Sequence, residues 1–106
     1  MPPQADQQEG GSGMAKVFRY KREIGVNYAD QGYIYFLSRR YQLLPSEKKR
    51  LIRQACREAA GSDHKAVFEY VTTDSDSTLV CTRHALSEST LERMVRRYYR
   101  ILSERI

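Results

Sequence analysis

Between Ser87 and Arg100 the chain sets hydroxyl, carboxylate and guanidinium groups at helical spacing: Ser87, Glu88, Ser89, Thr90, Glu92, Arg93, Arg96, Arg97 and Arg100. Arginine at this density points to phosphate or base recognition. Its planar fork holds guanine O6 and N7, or a phosphate, through two parallel hydrogen bonds. A helix seated in a major groove reads base edges with its first two turns and holds phosphates with the rest. On that scheme Glu88, Ser89, Glu92 and Arg93 face bases. Ser87, Thr90, Arg96, Arg97 and Arg100 make phosphate or positioning contacts. The opposite face carries Leu91, Val95, Tyr98 and Leu102 at i, i+4, i+7 and i+11, the stripe that packs on a core. Double-stranded DNA is the expected partner. The competing expectation is a protein-interaction module, an inhibitor or assembly factor, that docks an acidic partner on the same surface. Glu88 and Glu92 motivate it, because they repel a phosphate backbone.

Such a helix needs a rigid entry, and the preceding residues supply one. Val80-Cys81 is a small apolar pair that lets two helices approach, and Leu86 plugs the gap between them. Ser87 caps the second helix, where bare amide donors would otherwise lack acceptors. Leu86 and Leu91 stand at N′ and N4, the spacing of a hydrophobic staple. The pattern predicts a helix-turn-helix at about residues 75–102.

With Val80-Cys81, Ala85, Leu86-Ser87 and Thr90-Leu91 in these positions, the segment resembles the helix-turn-helix of small bacterial and phage DNA-binding regulators. Sporulation regulators, resolvase-type DNA-binding domains and sigma-factor region 4 share it. Their pattern runs Ile-Ala, four variable residues with a glycine near the turn, Val-Ser, then Thr and an aliphatic residue opening the second helix. The resemblance implies duplex binding in transcription regulation or as an accessory factor of a mobile element. The layout of the whole chain also resembles uncharacterised small proteins of Gram-positive mobile elements. Ala85 departs from the pattern by standing where glycine is usual, so the turn must avoid or strain a positive φ.

Upstream, Val17 to Val26 alternates, with Phe18, Tyr20, Ile24 and Val26 on one side. Period two predicts a short strand or an extended arm. Its Lys16, Arg19, Lys21 and Arg22 could reach a groove; the other reading is an edge segment packed onto the helices. Tyr33, Phe36, Leu37, Tyr41 and Leu44 mark a helical face with Asp30 as its cap. Pro45-Ser46-Glu47 opens another helix, whose stripe is Leu51, Ile52, Ala55, Cys56, Ala59 and Ala60 and whose terminator is Gly61. Lys48, Lys49, Arg50, Arg53 and Arg57 cover the remainder, as phosphate contacts or as a solvated face. Ser62-Asp63 caps a helix with Ala66, Val67, Tyr70 and Val71 inward, and Asp74 and Ser75 cap the next. The expected fold is all-α, a bundle of about four to five helices with a C-terminal helix-turn-helix.

At 106 residues the chain supports one small domain, assigned to residues 14–106. Residues 1–13, polar and Gln/Gly-rich, are set aside as a disordered leader. The net charge of +5 becomes about +7 once the leader's Asp6 and Glu9 are removed, a balance that favours polyanions. No apolar run approaches a membrane span. Cys56 and Cys81 sit in apolar helical contexts and read as buried reduced thiols, which places the chain in a reducing cytoplasm. His64 and His84 share no ligand spacing with them, so neither metal nor cofactor is expected. Residues 72–77 lack the glycine and closing glutamate of a calcium loop. No phosphate-cradling loop, His-Glu-x-x-His or nucleophile elbow occurs, and the chain reads as a non-enzyme. Tyr35, Tyr41, Tyr98 and Tyr99 near arginines suit either base stacking on single strands or the rim of a small core.

Overall fold

The computed structural model describes residues 20–106. The leader assigned to residues 1–13, together with Lys16, Val17, Phe18 and Arg19 of the N-terminal arm, lies outside the described residues. Five α-helices follow in order: α1 (Tyr28–Arg39), α2 (Ser46–Ala60), α3 (His64–Thr72), α4 (Ser77–His84) and α5 (Glu88–Ser103). Short 3-10 turns at Arg22–Ile24, Tyr41–Leu43 and Gly61–Asp63 join them, and no strand occurs among the described residues.

The described part of the N-terminal segment, residues 20–26, is an edge segment clamped from two sides, and no strand forms within it. Gln31 of α1 is fully buried, and its amide makes three hydrogen bonds to that segment's backbone. Its Nε2 donates to the Lys21 carbonyl (2.7 Å) and the Val26 carbonyl (2.9 Å), and its Oε1 accepts from the Lys21 amide (3.0 Å). From the other side Arg100 Nε of α5 donates to the Ile24 carbonyl at 2.8 Å. The 3-10 turn breaks the period of two, so Ile24 and Val26 enter the core while Tyr20 turns outward onto Tyr28. Gly25 makes this bend possible at φ 79°, a conformation that an L side chain strains to adopt.

The same demand for polar partners shifts the expected face: Leu37, Tyr41 and Leu44 pack on the core as expected, but Tyr33 and Phe36 do not. The buried residues of α1 are Gln31, Ile34 and Ser38, whereas Tyr33 and Phe36 are exposed. Its cap is Asn27, which accepts from the Asp30 amide at 2.8 Å; Asp30 sits three residues inside. Asn27 wins because the cap must precede the first helical residue for its side chain to reach the N3 amide.

α2 follows the sequence pattern closely. Ile52, Ala55, Cys56 and Ala59 are buried, with Leu51 and Ala60 at the margin. Pro45 is its cap residue, one place before the helix, and Gly61 ends it at φ 57°. A Cβ at Gly61 would meet nothing within 4 Å, so backbone conformation alone asks for glycine. α3 buries Ala66, Val67 and Val71 as expected. Tyr41, nearly buried, meets Phe68 edge-on at 4.9 Å and takes a 2.7 Å hydrogen bond from Arg53.

α5 touches every other helix and the N-terminal turn. Its buried residues are Leu91, Met94, Tyr98, Tyr99 and Leu102, a wider stripe than the four positions read from periodicity, and Val95 lies at its edge. Tyr98 is wholly enclosed, and its hydroxyl shares a 2.6 Å hydrogen bond with Ser38 of α1. Burial pushes this phenol well above its usual range, and the Ser38 bond offsets only part of that. Removing one partner of a buried pair strands the other, so Tyr98→Phe is expected to cost about 1–2 kcal/mol. For a domain of this size that lowers Tm by several degrees, roughly 4–8 °C per kcal/mol. Denaturation of Tyr98→Phe, Ser38→Ala and the double variant checks it: the double should lose less than the sum of the singles.

Candidate functional site

α4 and α5 form the helix-turn-helix, and each of its joints has a visible chemical cause. Asp76 caps α4 by accepting from the Leu79 amide at 2.9 Å. Asp74 and Ser75 do not cap it. Asp74 pairs instead with Arg39, and the Ser75 amide donates to Thr73 Oγ1, because both stand too far ahead of the first turn. Thr72 and Thr73 close α3 by donating to the Phe68 and Glu69 carbonyls at 2.7 and 2.6 Å. Val80 and Cys81 are buried, as the close approach of two helices requires.

The turn runs through Ala85 in the left-handed region (φ 56°, ψ 49°), with the amides of Ala85 and Leu86 both donating to the Cys81 carbonyl. The strain anticipated for alanine at this position is therefore present. Ser87 caps α5, accepting from the Thr90 amide at 3.1 Å while its own hydroxyl donates to Thr90 Oγ1 at 2.8 Å. Leu91 is buried and Leu86 half-buried, the arrangement a staple needs.

Two carboxylates lock the motif. Glu69 of α3 accepts from His84 Nε2 at 2.9 Å and pairs with Arg83, fastening α4 to α3. The His84 bond, with the Arg83 charge behind it, holds the Glu69 carboxyl below the usual glutamate range. Glu88 accepts from Ser77 Oγ (2.8 Å) and Thr78 Oγ1 (3.1 Å), clipping the first turn of α5 to the first turn of α4. Neither lock is visible in the sequence, since their partners lie ten to fifteen residues apart with no shared periodicity.

The nine residues singled out from the sequence thus divide. Ser87, Thr90 and Glu88 carry the local architecture. Ser89, Arg93, Arg96, Arg97 and Arg100 share one outward arc of α5, roughly 100° wide at helical spacing. Glu92 borders that arc and approaches Arg96 at 3.8 Å. Arg93 reaches Thr90 Oγ1 at 3.4 Å. Arg97 donates to the Glu58 carbonyl of α2 at 3.3 Å, and Arg100 holds the N-terminal turn. Those last two acceptors are neutral carbonyls, and among the described residues neither guanidinium forms an ion pair.

Tyr41, Tyr98 and Tyr99 are buried and offer no stacking platform, while Tyr35 lies 5.7 Å beneath the Arg39 guanidinium. Both cysteines are free and buried, and desolvation pushes the Cys56 thiol up to about 12. No helix among the described residues is long and apolar enough to cross a membrane. No protein-family model, curated protein or solved structure matches the chain.

Two outcomes follow from the turn and its lock. An L-residue in the left-handed region costs about 1–2 kcal/mol and Ala85 is exposed, so Ala85→Gly should raise stability by about 0.5–1 kcal/mol after glycine's greater chain entropy. A higher urea midpoint at unchanged m-value would record it. Glu69 has a depressed carboxyl in the folded state, so its contribution is present above the unfolded value and is lost as pH falls through the folded one. Glu69→Gln should therefore flatten the acid limb of the stability–pH curve below about pH 4.5, measured by denaturation from pH 7 down to 3.

Proposed function

We propose that the chain binds double-stranded DNA through the α4–α5 helix-turn-helix, as a transcription regulator or an accessory factor of a mobile element. The observation that carries this reading is the arc of Ser89, Arg93, Arg96, Arg97 and Arg100 on the solvent side of α5, opposite a fully packed face. A helix held on its inner side by the whole domain presents that arc as a rigid unit, and rigidity limits the ordering cost of docking. The first two turns, with Ser89 and Arg93 outward, approach base edges, and Arg96, Arg97 and Arg100 follow the phosphates. Glu92 next to Arg96 tempers the charge and favours a contact with cytosine N4 over one with a phosphate.

The second reading is docking of a protein on this face. The exposed Glu88 and Glu92 at the leading end of α5 support it. Anisotropy of a labelled duplex against salt concentration separates the two. The DNA reading expects affinity that falls steeply with salt, and in Arg93→Ala/Arg97→Ala weaker binding with loss of about one unit of log–log slope, from the phosphate contact of Arg97. Both side chains are exposed, so that double variant should keep its helical circular dichroism. Absence of duplex binding at low salt, with a defined protein retained from nuclease-treated lysate, would hand the face to a protein partner.

A further inference from the structure

The rings that α1 leaves on its outer side form a surface of their own. Tyr28, Tyr33 and Phe36 are 67, 48 and 58 % exposed, whereas the aliphatic Ile34 and Leu37 of the same helix turn to the core. Tyr33 and Phe36 stand one turn apart, across the helix from Ile34 and Ser38. Ser38 bonds Tyr98 of α5, so the rings lie on the side of α1 away from that helix. Tyr28 carries the surface to the start of α1, about 12 Å along the axis from Phe36, and Tyr20 meets it at 6.0 Å. Phe36 is met edge-on by Tyr35 at 5.0 Å, and Tyr35 in turn accepts from Arg39, which pairs with Asp74. Cations stand at both ends of the row. Lys21 and Arg22 follow Tyr20 in the chain, and Arg40 lies one turn beyond Phe36. All three are exposed and form no ion pair among the described residues. Of the acids in this stretch, Asp30 is held by the Asn27 side-chain amide at 3.2 Å, and Glu23 is exposed next to Arg22. The exposed Leu43 borders the far end.

We infer that this face binds single-stranded nucleic acid, its bases stacked on Tyr33, Phe36 and Tyr28 and its phosphates met by Arg40, Lys21 and Arg22. Every base has a π-face, and aromatic rings set among cations are the surface on which an unpaired strand lies. A duplex covers its base faces by stacking them on one another, so exposed rings ask for a strand that is not paired. Gly32, on the same side of α1, puts no side chain between Tyr28 and the other two rings. Charge decides against an apolar protein segment as the occupant: unpaired cations flank the rings at both ends, and a polyanion satisfies rings and cations together. The site is separate from the α5 arc and stands without the duplex reading.

The test is fluorescence anisotropy of the full chain with three labelled strands about eight nucleotides long, a length within the site sizes of such surfaces. They are oligothymidylate, oligouridylate and an abasic strand of equal length and charge. The expected result is that base-bearing strands bind about tenfold more tightly than the abasic one, the tighter of the two identifying the sugar. Tyr33→Ala and Phe36→Ala should each weaken base-bearing strands by about fivefold or more and leave the abasic strand unaffected. Tyr33→Phe and Phe36→Tyr keep a ring and should keep the affinity. Arg40→Gln should weaken all three strands by a similar factor. These side chains are exposed, so the helical circular dichroism should persist in each variant. Equal affinity for the abasic strand would overturn the proposal, because the rings would then take no part. Unchanged affinity in Tyr33→Ala/Phe36→Ala would overturn it too, and absence of strand binding at low salt would do so and leave the rings to a protein.

Discussion

Everything in this domain depends on burying one face of α5. That helix packs against the four other helices and the N-terminal 3-10 turn, and its wholly enclosed Tyr98 must still satisfy a hydroxyl in the interior. Ser38 does so, and the consequence passes outward: α1 must turn a polar face inward, and Tyr33 and Phe36 are left on the surface. Gln31 continues the same logic two turns earlier, exchanging hydrogen bonds with the N-terminal segment where an apolar residue would leave buried backbone groups unpaired.

The outer face of α5 inherits its rigidity from that inner one. Arg97 and Arg100 span the two roles, reaching back to carbonyls of α2 and of the N-terminal turn while their charge stays exposed. Glu88 and Glu69 hold the other end, so the angle between α4 and α5 is fixed by side chains as well as by the turn. A surface arranged in this way can recognise a partner with little loss of conformational freedom. Ala85 shows that the turn geometry is kept even at the cost of a strained alanine.

Charge is distributed over two distinct faces. On α5 the arginines lie along a convex helix, a shape suited to a groove. Between α2 and α3, Arg53, Arg57 and Lys65 border a small concavity whose lining is almost wholly apolar.

Much of this was written in the sequence. Small apolar residues at Val80-Cys81 and Ala55–Ala59, a Ser87 cap and the period of Leu91 to Leu102 depend on local geometry, and local geometry follows from neighbours along the chain. The all-α class, α2, the turn at Ala85 and the arginine arc of α5 were legible for that reason. The inward face of α1 was not. Periodicity scores each side chain by its own polarity, and Gln31 and Ser38 are buried because of what Lys21, Val26 and Tyr98 require. Glu88, Glu69 and the Arg53–Lys65 concavity belong to the same class. Their partners lie between five and sixty residues away, and only the packed chain brings them together.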